Sequence, residues 1–516
     1  MTQTHAAAAP RIQPQVEIQP DDAFNRALLA NVRPNNWEIP RPPARYNLVV
    51  IGAGPAGLIS AASAAGLGAK VALVERHLLG GDCLNVGCVP SKALLRSARA
   101  WSDVRDAEPF GVHVAPGSRI DFAQVMARMR QLRASLSPVD SAQRYRELGV
   151  DVYFGQAAFS GPDSVDVGGR TLRFRRAIIA TGARASRPPV PGLDDAEFLT
   201  NETVFSLTEL PQRLAVIGGG AVGCELAQAF ARFGSQVHLI EVAPGVLPSE
   251  DRDAADCVAR SLTRDGIQVY VGVTNLRATR TGPAKHLSFE ASSAAAEIDV
   301  DEILICAGRT PNVDGLNLEA ARIVYDRAGV TVDDRLRTSN RRVYAAGDIC
   351  SRYKFTHAAD ALARIAVQNA LFFGRARPSA LTIPWCTYTD PEVAHVGLYE
   401  RDARERGIEA IAFEHHFRDL DRAILDGQTN GFIRVLVKKG TDSILGATIV
   451  ASHAGELISE ISLAMTHRLG LKSVARTIHP YPTQAECIKK VADAYNRTRL
   501  TPRIRSWFER WFAWTR

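Results

Sequence analysis

Residues 48–75, LVVIGAGPAGLISAASAAGLGAKVALVE, decide the fold. An apolar strand runs into Gly52-Ala53-Gly54-Pro55-Ala56-Gly57, a helix of small residues follows, and a second apolar strand ends at Glu75. A glycine-rich turn that leaves a strand, opens a helix and is answered by an acid about 20 residues later is a dinucleotide-binding turn. Each residue type has a physical task there. Gly52 makes the tight turn and Gly54 lets backbone approach a pyrophosphate at the N-terminus of the helix that Pro55 and Ala56 begin. Gly57 lets the helix pack on the strand, and Glu75 accepts a hydrogen bond from a ribose hydroxyl.

The pattern occurs twice. Residues 214–241, LAVIGGGAVGCELAQAFARFGSQVHLIE, match the first stretch in length, and in each the closing Glu stands 23 positions after the first glycine. Gly218, Gly220, Val222, Gly223 and Glu241 fill the places of the first set, so a duplicated βαβ unit and two bound dinucleotides per chain are predicted. A carboxylate at Glu241 repels a 2′-phosphate and accepts from a free ribose, which predicts NADH over NADPH in the second copy. Each copy has a closing strand that stops at glycine: RRAIIATGARASRPPVPG (175–192), with Thr181 and Gly182, and DEILICAGRTPNVDGL (301–316), with Gly308. RRVYAAGDIC (341–350) then gives a short strand, Gly347-Asp348 and a helix near 357–374. From Pro384 the character changes: TYTDPEVAHVG, then FIRVLVKK and SILGATIVAS, look like antiparallel strands, and with the helices that follow at 454–468 and 483–496 they read as a separate α+β domain.

The fold class predicted is therefore α/β, two Rossmann-like dinucleotide-binding domains plus a C-terminal α+β domain. The boundaries are 46–195 and 308–378 for the two parts of the first unit, 196–307 for the second and 382–497 for the last. Residues 1–45, ending in the Pro-rich IPRPPAR, read as a loosely held extension, so that the folded part begins at Tyr46, and 498–516 as an aromatic basic tail.

Composition narrows the function classes. The chain has 516 residues, 23% charged and 46% hydrophobic, with mean hydropathy near zero, which is globular and excludes disordered and fibrous classes. No uncharged apolar run is long enough to span a bilayer and no basic-then-apolar leader opens the chain, so a cytoplasmic location is expected. The net charge of +7 is spread without a block of five Lys/Arg, which argues against nucleic acid. Eight cysteines are too sparse for a disulfide framework, and only Cys83 and Cys88 are close in sequence.

That pair lies in GGDCLNVGCVPSKALLR (80–96). Residues five apart in an ideal helix have Cα atoms ~8.7 Å apart, whereas a disulfide needs less than about 7 Å. The two cysteines can bond only where the segment is distorted at or before a helix start, and Gly87 and Pro90 are expected to supply the distortion. A helix N-terminus favours the thiolate. Two unrelated core cysteines are the alternative; no third and fourth ligand with metal-site spacing accompany them, so no metal centre is predicted.

Taken in order, GAGPAG, CLNVGCVPSK, ATG, GGGAVG, GRTPN, AAGD and PTQAE resemble the FAD-dependent pyridine nucleotide–disulfide oxidoreductases, over residues 46–497. That family includes dihydrolipoyl dehydrogenase, glutathione reductase and mercuric reductase. The resemblance implies FAD in the first fingerprint, with Gly81 beside it, Glu75 on the adenosine ribose and Asp348 near the ribitol and pyrophosphate, and NAD(P)H in the second. It implies Cys88 as the thiol beside the flavin and Cys83 as the one that exchanges with substrate. Lys92 and Glu225 would pair near the flavin's reactive nitrogen. Electrons would run from NADH through flavin and the Cys83–Cys88 disulfide to a small-molecule or metal-ion substrate. It also implies a homodimer, in which Tyr481 and Glu486 complete the partner's site.

One departure bears on the substrate. Disulfide-reducing members carry HPTxxE, with His as acid–base; the aligned position here is Tyr481, and tyrosine is a poor proton shuttle at neutral pH. Mercuric reductase resembles this chain in having Tyr there, which makes a mercuric reductase-like activity the first reading; a dihydrolipoyl dehydrogenase-like reductase and a flavin redox sensor or quinone reductase at a membrane are the others. His479, two residues upstream, is a substitute shuttle or an interface residue. The tail WFERWFAWTR lacks the cysteine pair of mercuric reductase, and no N-terminal Cys-x-x-Cys carrier domain is present. Trp507, Phe508, Trp511, Phe512 and Trp514 share much of one helical face, which suits either peripheral membrane contact or docking on the protein's own body. Cys224, Cys386 and His453 are read as packing or interface residues.

Overall fold

A computed structural model describes residues 16–282, 284–372 and 374–516. The first repeat forms the centre of a parallel sheet in the order Val150–Phe154, Val71–Glu75, Tyr46–Ile51 and Arg170–Ile179, with Val343–Ala345 joining the last of these. The strands are Val, Ile and Leu because both faces are covered: Leu48, Val50 and Leu73 pack towards the helices Pro55–Gly66 and Thr356–Leu371, Val49, Ile51 and Val74 towards Tyr153 and Phe174 on the other side. Residues 170–173 run on into an antiparallel meander with Ser164–Val167 and Ala157–Gly161.

The second repeat builds a separate parallel sheet, Gln268–Tyr270, Gln236–Ile240, Arg213–Ile217 and Glu302–Ile305, and the antiparallel sheet Thr274–Thr281, Ala284–Ala291, Ala294–Val300 follows it. The C-terminal unit is a five-stranded antiparallel sheet, Pro384–Thr387, Glu392–Gly397, Ile444–Ala451, Phe432–Lys438 and Ala410–His416, carrying the helices Ala454–Thr466 and Glu486–Thr498. The antiparallel strands expected within 432–451 are formed, with Ile433 opposite Ile449 and Val435 opposite Ala447 in the core.

Two readings need correction. Residues 16–45 are not loosely held, and the folded part does not begin at Tyr46. Asp22 caps the helix Ala23–Val32, its carboxylate accepting from the Asn25 amide at 2.8 Å, and Leu28 and Val32 are fully buried in the first core. At roughly 1.5–3 kcal/mol for each such side chain, this burial secures the segment. Arg33 donates to the carbonyls of Arg76 and His77 at 3.1 and 2.9 Å, and the Trp37 indole N–H reaches the Val152 carbonyl at 3.0 Å. Prolines beyond the helix suggest a linker, but the apolar stripe ahead of them outweighs that. Residues 1–15 lie outside the described ones. The second correction concerns the tail: the helix Pro502–Trp514 buries no residue, so docking on the body of this chain is overturned.

Candidate active site

The two glycine-rich turns have the same steric design. A Cβ on Gly57 would lie 1.8 Å from the Gly52 carbonyl oxygen, and one on Gly223 at the same distance from that of Gly218. Only glycine lets each helix approach its strand this closely. Gly52 and Gly218 take φ of +99° and +111°, with the Ala180 and Cys306 carbonyl groups directly against them. The acids are also matched. Glu75 accepts from the amides of Ala53 and His77, both at 2.7 Å, and Glu241 from Gly219 and Ala243 at 2.6 and 2.7 Å. Burial raises the Glu75 pKa, while the two amides and Arg33 and Arg76 oppose that shift. In this structure the first task of each carboxylate is therefore to brace its own loop.

The helices Pro55–Gly66 and Ala221–Phe233 begin at Gly54 and Gly220 without a side-chain cap, leaving their first amides for an anion. Gly220 faces open space, whereas Gly54 lies 3.8 Å, measured from its would-be Cβ, from the Gly81 Cα. The residues suit a pyrophosphate at each turn. Ala56 is buried against Gly347, whereas its counterpart Val222 is 48% exposed.

The closing elements meet at the first site. The Thr181 hydroxyl donates to the Asn312 carbonyl at 2.9 Å, and the Gly182 carbonyl accepts from the Asn312 amide at 3.0 Å. The Gly308 carbonyl accepts from Ser186 at 3.2 Å, so these residues tie one return strand to the other. Arg309, which the sequence reading passed over, pairs with Asp82 and stands with its Nε 3.6 Å from Asp348 Oδ2. That Nε is buried without a hydrogen-bond partner, and burial raises the Asp348 carboxyl pKa. An orphaned donor beside a half-buried acid fits the polar diphosphate and ribitol part of FAD.

The cysteines occupy two helices. Cys83 is in the short helix Gly81–Asn85, Cys88 is the first residue of Cys88–Arg105, and Val86-Gly87 break the chain between them. A Cβ on Gly87 would sit 2.8 Å from the Asp82 carbonyl oxygen, so glycine permits the fold-back. The expected distortion comes from Gly87 alone. Pro90 lies within the first turn, where its missing N–H costs nothing, and does not bend the helix.

Cys88 is the sulfur of the pair whose environment favours the thiolate. Its pKa is lowered, chiefly by the neighbouring Cys83 thiol, then by the Thr356 hydroxyl 3.3 Å away and the Lys92 charge, against the opposing effect of burial. Cys83 moves the other way, since its hydrogen bond to Cys88 and its burial hold the proton. Lys92 Nζ donates to Glu225 Oε2 at 2.8 Å and sits 4.5 Å over the Tyr388 ring. Glu225 is almost wholly buried, and its other oxygen accepts from the Tyr388 amide at 2.8 Å. The expected pair is thus formed, and Thr356 and Tyr388 join it. Neither was foreseen, because they reach the site from 268 and 296 positions after Cys88 and Lys92 and no local pattern marks them.

Tyr481 and Glu486 are not drawn into this constellation within one chain. Tyr481 is 70% exposed and its hydroxyl donates to Asp421 Oδ2 at 2.9 Å, which raises its pKa; Glu486 pairs with Lys490 at 3.0 Å. The His479 side chain is only 4% exposed and bonds Glu460 at 3.1 Å, so it is spent inside its own unit. Cys224 is buried beneath the second turn and Cys386 packs on the C-terminal core, as packing residues should.

Comparison with known proteins agrees with this layout. Residues 46–363 match the model of the pyridine nucleotide-disulphide oxidoreductases, and residues 383–492 that of their dimerisation domain. A mercuric reductase of Bacillus cereus is 34% identical over 445 residues, 86% of this chain and 70% of that protein. A dihydrolipoyl dehydrogenase of Thermus scotoductus is 36% identical over 461 residues, 88% and 98% of the two chains. Among solved structures, the Cu(II) complex of the HOCl-induced flavoprotein disulfide reductase RclA from Escherichia coli superposes with a TM-score of 0.77 at 27% identity, covering 88% of this chain and 100% of that one.

Proposed function

Because the chain belongs to the pyridine nucleotide-disulphide oxidoreductase family, a group of flavin-dependent disulfide oxidoreductases that use FAD and NAD(P)H, we propose that it reduces a thiol-reactive metal ion, in the manner of mercuric reductase. FAD, bound at the first turn, supplies the two-electron relay between the nicotinamide and the cysteine pair. The chain's own residues do the rest. Gly54, Gly81 and Asp348 line the FAD position with Thr181 and Gly182 beside them; Gly220 and Glu241 hold the nicotinamide cofactor, with NADH preferred. Lys92, fixed by Glu225, holds positive charge at the reacting end, and Cys88 keeps a thiolate there at neutral pH. Cys83, with its proton, is the sulfur that meets the substrate. The dimerisation-domain match supports a homodimer, with Tyr481 and Glu486 acting on the partner's cysteines.

The observation that carries the substrate reading is Tyr481. Its pKa is raised above an already high value and its hydroxyl is engaged by Asp421, so it is unsuited to shuttling the proton that dithiol–disulfide turnover demands. Ligation of a soft metal ion by two sulfurs releases the Cys83 proton once, to solvent or to the departing thiolate ligand of the metal, and needs no group that returns it to a leaving thiol; the solved RclA structure is a Cu(II) complex. The test is NADH oxidation by the FAD-loaded protein with Hg(II) in excess thiol, beside lipoamide and oxidised glutathione. Turnover with Hg(II) at least about tenfold above either disulfide is expected, a margin of ~1.4 kcal/mol in barrier. Lipoamide turnover equal to it would favour the dihydrolipoyl dehydrogenase-like reading, and a single NADH consumed without further turnover on any of them a sensor or a quinone reductase.

A further inference from the structure

We propose that the helix Pro502–Trp514 docks this protein on an anionic lipid surface, with its aromatic face in the headgroup boundary and its arginines on the lipid phosphates. The proposal is independent of the metal-ion reading above. The helix is a built element: Thr501 caps it, accepting from the Ile504 amide, Pro502 stands at its first position, and Arg505 pairs with Glu509 at 3.2 Å. At 100° per residue Ile504, Trp507, Phe508, Trp511, Phe512 and Trp514 span an arc of about 160°. None is buried; Trp507 is 61% and Trp514 77% exposed. Their rings contact one another, Trp507 stacking on Trp511 at 6.2 Å and Phe508 on Phe512 at 6.3 Å, so the face is assembled with none of the described residues burying it.

Charge selects the occupant. Between Arg497 and Arg516 there are six arginines and one glutamate, so five of the seven surplus positive charges of the chain lie in its last twenty residues. Among the described residues, Arg497, Arg499, Arg503, Arg510 and Arg516 make no ion pair. A second copy of the same helix would meet like charge with like, whereas a phosphate-bearing lipid surface neutralises it. Tryptophan, apolar in body with a polar N–H, is the side chain that settles at such a boundary, and three of the six tryptophans are here. Thirteen residues rise about 20 Å, too short for a bilayer core of about 30 Å, so the helix lies on the membrane and does not cross it. No described helix is long and apolar enough to cross. Two tails on a homodimer would bind together, and the second engagement would be intramolecular.

The test is sedimentation of the full-length FAD-loaded protein with phosphatidylcholine vesicles, with and without about 30% phosphatidylglycerol, alongside its tryptophan emission. Each arginine near an anionic surface contributes about a fivefold gain in partitioning. Binding at least about tenfold stronger to the anionic vesicles is expected, with blue-shifted emission, and most of it should be lost in roughly 0.5 M salt. The triple variant Arg503→Glu, Arg505→Glu, Arg510→Glu should abolish binding, and Trp507→Ser with Trp511→Ser should weaken it about tenfold or more, both leaving NADH oxidation unchanged. Equal binding to both vesicles, or to neither, overturns the proposal. So does self-association that the Trp→Ser variant abolishes in the absence of vesicle binding.

Discussion

The two 28-residue repeats fold onto the same plan and then diverge in what stands in front of them. In both, the third glycine is pressed on the carbonyl of the first, and the closing glutamate braces the loop through two amides. Before the first copy stands the segment that carries the cysteines, with Gly81 against Gly54, and Gly347 closes on Ala56. Before the second there is open space at Gly220 and an exposed Val222. The walled copy suits a group that stays bound and the open copy one that arrives and leaves. A motif therefore specifies how a dinucleotide is gripped, and the elements outside it decide for how long. The copies also differ two positions after the third glycine, where the first has Ile59 and the second Glu225, the acid that fixes Lys92.

The most severe challenge to this contrast is one methyl group added to each copy. Gly57→Ala and Gly223→Ala face the same 1.8 Å clash with backbone, an overpacking cost of about 1–3 kcal/mol or more. Gly57→Ala should yield a protein that purifies largely without flavin, read from its visible absorbance. Gly223→Ala should keep its flavin and show a KM for NADH raised about tenfold or more, since 1.4 kcal/mol is a factor of ten. Loss of flavin in both would show that the copies are not independent.

Next in size, Gly81→Ala tests the wall itself. Its Cβ would fall 2.6 Å from the Gly54 Cα, and the second copy has no equivalent residue. Flavin affinity should drop about tenfold, measured by fluorescence on titrating FAD back, with the NADH site intact. A variant that binds FAD as the parent does would remove the wall from the account.

Lys92→Met probes the seam between the copies. The Cys88 thiol is held below its ordinary pKa, and Lys92 is one of the groups holding it down. Without the cation the pKa should rise by about one unit, roughly 1.4 kcal/mol. The rate of alkylation at Cys88, followed against pH in the dithiol form, should move its midpoint upward. A midpoint that stays in place would assign the shift to Cys83 and Thr356 alone.

The smallest effect belongs to the braced acid of the open copy. With Glu241 kept, the KM for NADPH should exceed that for NADH by about tenfold. Glu241→Gln should narrow the ratio while raising both values a few-fold, because the amides of Gly219 and Ala243 lose their charged acceptor. A KM for NADPH below that for NADH in the parent protein would overturn the assignment.

Where the sequence was legible, the cause was local. Glycine at Gly57, and the acid at Glu75, are forced by contacts made within or just beyond a single βαβ unit, and so they recur at matching intervals. The antiparallel strands at 432–451 declare themselves as short runs rich in Val and Ile, nearly all of them buried, on either side of a polar turn. Thr356 and Tyr388 were invisible because what matters about them is an approach across more than 250 positions. Arg309 was hidden for a related reason: its role arises from Asp82 and Asp348, which reach it from separate elements. The helix Ala23–Val32 was misjudged because prolines on its far side carried more weight than Leu28 and Val32.

The Trp37 indole bonded to the Val152 carbonyl has a consequence for life in a crowded cell. Val150–Phe154 is the last strand on its side of the first sheet, and an unpaired outer strand is a template on which another chain can add itself. Here the indole takes one of its free acceptors and sets its ring edge-on against Phe154. The leading segment thus covers part of an outer strand that would otherwise offer its free backbone groups to another chain.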